Sequence, residues 1–219
     1  TDDNSCTTDT TFQVIDSTRM NIFFVEDSIE HVSCNGAGDG RAIVTVLHAS
    51  GPVSYTWTDE SDSPLSDTND SLAYNLSPGK YYVEVTDQNT TLTDSVVITE
   101  PAPLNVDMGS ASTSLLDCYG DADGIIDAQV TGGTLPYSYS WTTSDGSGLE
   151  SSQEDQNDLT AGTYEVTVTD YNGCSATASF TIDEPEQLTA GIYINEKISC
   201  YGYSDGELEA SESGGTGPN

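Results

Sequence analysis

The sequence predicts an all-β protein, built of tandem immunoglobulin-like β-sandwich domains arranged head to tail as a rod. Three observations support this. First, "CNGAGDG" (34–40), "CYGDADG" (118–124) and "CYGYSDG" (200–206) repeat one grammar at a period of about 84 residues, the length of a small domain. Second, apolar residues alternate with polar ones over short runs between turn signals, the pattern of half-buried strands. Third, neighbouring repeats meet at a bare "EP" (100–101 and 184–185), where proline stiffens its own backbone and the residue before it.

Other pairs keep the same offset. "GPVSYTW" (51–57) matches "LPYSYSW" (135–141), "PGKYYVEVTD" (78–87) matches "AGTYEVTVTD" (161–170), and "SVVITEP" (95–101) matches "SFTIDEP" (179–185). "TDDNSC" (1–6) matches "TDYNGC" (169–174), so residues 1–17 read as the tail of a preceding repeat. Complete repeats are expected at 18–100 and 101–184, and residues 185–219 open a following one.

Within a repeat the strands follow in order. Leu104, Val106 and Met108 alternate first. Ile126, Ala128 and Val130 come next and match Ala42, Val44 and Val46. Tyr137, Tyr139 and Trp141 share one face with Ser138 and Ser140 on the other, matching Val53, Tyr55 and Trp57. Tyr164, Val166 and Val168 match Tyr81, Val83 and Val85; Phe180 and Ile182 match Val96 and Ile98. Several short strands with close-spaced turns in one repeat fit an immunoglobulin-like sandwich, with the Trp in its core.

Composition limits function. The chain of 219 residues has 37 Asp and Glu against four basic residues, Arg19, Arg41, Lys80 and Lys197, for a formal charge of −33. That field repels phosphate backbones and anionic lipid, which argues against nucleic-acid or membrane-surface partners. High charge with 35% hydrophobic residues leans toward disorder, but 12 Tyr, two Trp and the alternating strands require a fold. No stretch has the roughly 18 apolar residues of a transmembrane helix, and "TDDNSCTTDT" has no signal-peptide pattern.

The shared Cys-x-Gly-x-x-Asp-Gly knuckle reads as turn chemistry, with two glycines for positive φ and an Asp to bond its own backbone. An EF-hand is excluded, because Tyr119 and Val130 fall where the first and last ligands belong. Asp121 and Asp123 are the candidates for a looser calcium site shared with a neighbour's loop; no other cofactor is implied. Five cysteines without Cys-x-x-Cys spacing indicate an oxidising compartment. Cys34, Cys118 and Cys200 sit in knuckles, and Cys6 and Cys174 in the hairpin after the Tyr-Val-Val strand, where the first repeat has Thr91.

Three pairings are open. Cys118–Cys174 within a repeat leaves Cys34 without a partner, and Cys6–Cys34 with Cys174–Cys200 leaves Cys118 without one. Cys34–Cys174 between domains forces no orphan and puts the partners of Cys118, Cys200 and Cys6 outside the chain. Topology favours the third. The knuckle and the hairpin lie at opposite ends of one sandwich, several residues of about 3.3 Å apart, whereas a disulfide needs Cα atoms within about 7 Å. In a head-to-tail rod, the knuckle of one domain meets the hairpin of the next.

No catalytic grouping is present. His31 and His48 lack counterparts in the second repeat and read as surface residues, and the carboxylates cluster no more than composition requires, so an enzyme is not expected. A glycan- or protein-binding module is the rival reading, on an aromatic platform of Tyr137, Tyr139, Tyr201 and Tyr203. The alternation with Ser138 and Ser140 places the first two in the core instead.

In order and spacing, "CYGDADG", "TGGTLPYSYSW", "AGTYEVTVTDYNGC" and "TIDEP" resemble the SprB-type repeats of Bacteroidota gliding-motility and cell-surface adhesins. The first repeat departs from the pattern at "ASGPVSYTW" and "DQNTT". The resemblance implies a long filament on the outer membrane surface, exported by type IX secretion and moved by envelope machinery. These repeats would be its shaft, holding a distal adhesive region away from the cell. Spacer domains of other secreted surface proteins carry similar repeats. The same phylum's O-glycosylation pattern points to Thr10, Ser17, Ser28, Ser71 and Ser95.

Overall fold

The computed structural model describes residues 19–216 and has strands but no helix. Two compact units divide at residue 101, 1–101 and 102–219.

The first unit contains β1 (Asn21–Glu30), β2 (Gly40–Leu47), β3 (Ser54–Asp59), β4 (Thr68–Asn69), β5 (Leu72–Leu76), β6 (Gly79–Thr86) and β7 (Thr91–Ile98). One antiparallel sheet runs β1–β2–β5–β4 and the other β3–β6–β7. That is the four-plus-three strand order of a constant-type immunoglobulin sandwich. The inward positions of both sheets form one core: Ile22, Ala42, Val44, Trp57, Ala73, Leu76, Val83, Val85, Val96 and Ile98 are all buried. Trp57 pairs with Val83 across β3 and β6, and its indole N–H donates to the Asp70 carbonyl (3.1 Å). Tyr81, near the start of β6, donates its hydroxyl to the Ser77 carbonyl (2.8 Å), closing a tyrosine corner.

The second unit repeats the plan with β8 (Asn105–Met108), β9 (Gly124–Ile126), β10 (Ala128–Thr131), β11 (Ser138–Thr143), β12 (Gln156–Leu159), β13 (Gly162–Thr169) and β14 (Ser175–Ile182). The β11–β13–β14 sheet reproduces β3–β6–β7. Trp141 again bonds a loop carbonyl, that of Gln153 (2.9 Å), and Tyr164 bonds Thr160 (2.7 Å). The long strand β2 is here broken in two. β9 pairs with β12 and β10 with β8. At the break the backbone groups of Asp127 and Ala128 turn to other partners, Gly109, the Ser112 hydroxyl and the Asp155 carboxylate.

A last hairpin, β15 (Thr189–Glu196) and β16 (Glu207–Ser213), matches β1–β2 in position along the repeat. Ile192, Ile194, Ile198 and Leu208 on it are exposed. The few basic side chains lie on strands or in loops. Arg41 of β2 faces Glu30 (3.5 Å), Lys80 of β6 sits 4.9 Å from the Tyr82 ring centre, and Lys197 follows β15.

Candidate functional site

The knuckle lies in the segment that joins the first strand to the second in each sandwich, at 31–39 and 109–123. Its anchor is the apolar residue two before the cysteine. Val32 and Leu116 are both buried, and each donates its N–H to a carbonyl just past the last strand, Thr99 (2.9 Å) and Asp183 (2.9 Å). The glutamate of the "EP" junction then closes the loop. Glu100 accepts from Gly36 N–H (2.7 Å), and Glu184 from Gly120 N–H (2.8 Å). Asn35 adds a side-chain bond to the Pro101 carbonyl (3.2 Å). The knuckle is thereby fixed to the exit of its own sandwich.

One expectation about the motif needs correction. Only its first glycine needs positive φ, at 77°, 81° and 91° for Gly36, Gly120 and Gly202. The second is small for packing: a Cβ on Gly40 would lie 2.7 Å from Ile98 Cγ2, and one on Gly124 2.8 Å from Ile182 Cδ1. The motif aspartate bonds its own backbone and, more strongly, reaches across the knuckle. Asp39 reaches back six residues to accept from the Ser33 N–H (2.9 Å) and hydroxyl, and Asp205 likewise from Ser199 N–H (3.1 Å). Those serine contacts hold both carboxyls below their ordinary range. The second knuckle has Asp117 where the others have serine.

The hairpin at the opposite end is held by a buried aspartate. In the first sandwich, Asp87 accepts from Ser50, Asn89 and Thr90 N–H groups (2.7–2.8 Å), which lowers its pKa, Ser50 contributing most. In the second, Asp170 accepts from Thr134 (2.8 Å), Asn172 (2.9 Å) and Cys174 (2.9 Å). Ser50 and Thr134 follow a residue pair whose first member turns left-handed, His48 (φ 57°) in one repeat and Gly132 (φ 76°) in the other.

Among the cysteines, Cys34 and Cys174 are disulfide-bonded, whereas Cys118 and Cys200 are exposed free thiols. The charge of Asp121 beside it, with lesser contributions from burial and Asp117, raises the Cys118 pKa. Cys6, Thr10 and Ser17 lie outside the described residues. Ser28, Ser71 and Ser95 are half-buried, and the Ser28 hydroxyl is engaged by the Val25 and Ile43 carbonyls. Asp121 is half-buried and Asp123 exposed; among the described residues no group of three or more His, Cys, Asp or Glu is placed to hold a metal.

His31 and His48 are exposed and far apart in the sequence; His31 Nδ1 accepts from Thr99 N–H (3.1 Å). Tyr137 and Tyr139 pack against the second core, while Tyr119, Tyr201 and Tyr203 are exposed. The reading from sequence missed the roles of Val32, Leu116, Glu100 and Glu184. The repeated apolar residue two before each cysteine, and the invariable Glu before each junction proline in this chain, were the available signals.

Residues 27–62 and 110–146 match the SprB repeat family. No curated protein matches the chain. Among solved structures, the chain is similar to the four N-terminal immunoglobulin domains of Dscam1 isoform 6.9, at 17% identity over 68% of this chain and 41% of that one, TM-score 0.33. It is also similar to extracellular domains 3–5 of Drosophila OTK, at 11% identity over 75% of this chain and 62% of that one, TM-score 0.35. It thus spans less than two thirds of either. Each family match takes in a knuckle and strands that follow it, so one segment of each immunoglobulin-like sandwich is similar to the SprB repeat.

Proposed function

We propose that the chain is a shaft segment of a cell-surface adhesin filament, a non-enzymatic spacer that holds an adhesive region away from the cell. The observation that carries this reading is the knuckle's attachment to the sandwich exit through Glu100 and Pro101, repeated at Glu184. A repeat that braces its own junction is suited to bearing tension between neighbours. Bacteroidota-type gliding and type IX secretion come with the family resemblance and belong to the same proposal, as does attachment at the outer membrane surface.

In this reading Cys34 and Cys174 form one disulfide between successive domains. Two placements support it. The Cys34 knuckle is tied to Pro101, and the Cys174 turn bonds Thr134, which follows Gly133, itself bonded to the Ala102 carbonyl (2.9 Å). Each cysteine's loop is thus tied, within its own unit, to a residue beside the boundary at 101/102. Peptide mapping of the non-reduced chain should recover Cys34 joined to Cys174. Recovery of Cys34 joined to Cys6 instead would overturn the inter-domain brace.

The binding-module reading keeps one specific observation, the exposed tyrosines Tyr119 and Tyr201 at equivalent knuckle positions. Glycan-array binding by the isolated chain, lost in Tyr119→Ala with Tyr201→Ala, would favour it over the shaft.

A further inference from the structure

The last strand of the second sandwich, β14, forms one edge of the β11–β13–β14 sheet. Its ladder with β13 fixes which backbone groups point outward. Asp170 N–H bonds the Cys174 carbonyl (2.9 Å) at the hairpin, and pairing then runs without a bulge from Thr169↔Ser175 to Gly162↔Ile182. Hydrogen-bonded pairs alternate along such a ladder, so the N–H and C=O groups of Ser175, Thr177, Ser179 and Thr181 face away from β13. The other end agrees. Asp183, next in the alternation, turns both groups outward, to the Ser114 carbonyl (3.0 Å) and the Leu116 N–H (2.9 Å). Among the described residues, nothing takes the four outward N–H groups that precede it.

An open edge of this kind is a template for another strand, and proteins guard against it with bulges, charge or proline. The first sandwich shows such a guard. β7 stands where β14 does, Val96 and Ile98 matching Phe180 and Ile182, and its outward Ser95 N–H is taken by the Asp94 carboxylate (2.8 Å). The second sandwich has Ala178 in place of Asp94. No charged residue falls between Asp170 and Asp183, in a chain of formal charge −33. The four outward residues are exposed, and the half-buried Ala176 and Ala178 between them are small. The opposite edge of the sheet is closed at Trp141, whose N–H bonds the Ser151 carbonyl (3.0 Å).

We propose that β14 is an interaction edge, which pairs antiparallel with β14 of a second copy of this chain and joins two sheets into one. The occupant follows from the strand's own chemistry. Two copies of β7 would bring Asp94 toward its own counterpart, a repulsive pairing, whereas two copies of β14 bring together only Ser, Thr and Ala. With the two-fold axis at Ala178, Thr177 lies opposite Ser179 and Ser175 opposite Thr181, so every outward N–H and C=O finds a partner. The inference goes beyond the shaft reading, and the Cys34–Cys174 link that tests that reading is no part of it.

The test is sedimentation velocity of the full chain over a range of concentrations, with variants whose folding is checked by Trp fluorescence. The unmodified chain should form a dimer. Ala178→Asp installs the guard of the first sandwich, and Ser179→Pro removes an outward N–H that no intramolecular bond uses. Each acts on both copies and should raise the dissociation constant by at least about tenfold. Ala178→Cys checks the register. Cα atoms that face each other across a non-hydrogen-bonded antiparallel pair are about 4.5 Å apart, within disulfide range. Oxidised glutathione takes up the two electrons and two protons that the joining thiols give, leaving as two thiols. Peptide mapping should then recover position 178 of one copy joined to position 178 of the other. A chain that stays monomeric, a dimer that either folded variant leaves unchanged, or position 178 joined only to Cys118 or Cys200 overturns the proposal.

Discussion

At the scale of single residues, the hairpin aspartates do the most with the least. Asp170 is buried and satisfies three backbone N–H groups at once. Asp170→Ala strands those donors and should cost about 2 kcal/mol or more in denaturant unfolding, while Asp170→Asn, which keeps an acceptor, should cost less. Its counterpart Asp87 also sets a pH response. Its carboxyl is held below the ordinary range, so its stabilisation is complete above the unfolded carboxyl pKa of about 3.9 and is lost as pH falls through the lower folded value. Melting of Asp87→Asn and of the unmodified chain should therefore differ by a constant amount from neutral pH to about pH 4 and converge below it, as followed by Trp fluorescence. Little of this was legible beforehand. "VTD" at 85–87 and 168–170 marks a strand end in the sequence, but the donors Ser50 and Thr134 come from loops 36 or 37 residues away.

At the scale of elements, strands were the legible part and their closures were not. Period-two alternation identified the inward faces of β2, β3, β6, β11 and β13, because each packs one face on a core and the other on water. The break between β9 and β10 left no such trace, since Asp127 looks like any outward residue until Gly109 and Ser112 take its backbone groups. The knuckle was read as a turn with both glycines at positive φ, yet its second glycine is a packing residue. Gly124→Ala would press a methyl against Ile182 and the Leu159 carbonyl and should destabilise the second sandwich by about 1–3 kcal/mol, with a lower denaturant midpoint and an unchanged slope. Gly120→Ala tests the other role of glycine in the same motif. Nothing crowds its Cβ, so its cost comes from the positive φ alone and should be smaller, about 1 kcal/mol.

At the scale of the whole molecule, two sandwiches of one plan differ in how they are finished: a continuous β2 in the first, a divided strand in the second, and a hairpin beyond them with its apolar side exposed. The repeat therefore conserves its core, its junction glutamate and its turn aspartate while its edges vary. The placement of positive charge has a further consequence. Of four basic residues, Arg41 and Lys80 are half-buried within strands, and Arg19 and Lys197 lie outside the two sandwich cores. A protease that cuts after Lys or Arg acts on exposed, locally open backbone, which the strands do not offer. Trypsin should trim the chain after Arg19 and Lys197 and leave residues 20–197 as a long-lived fragment. A surface this poor in cleavage points would outlast its neighbours wherever secreted trypsin-like enzymes are abundant.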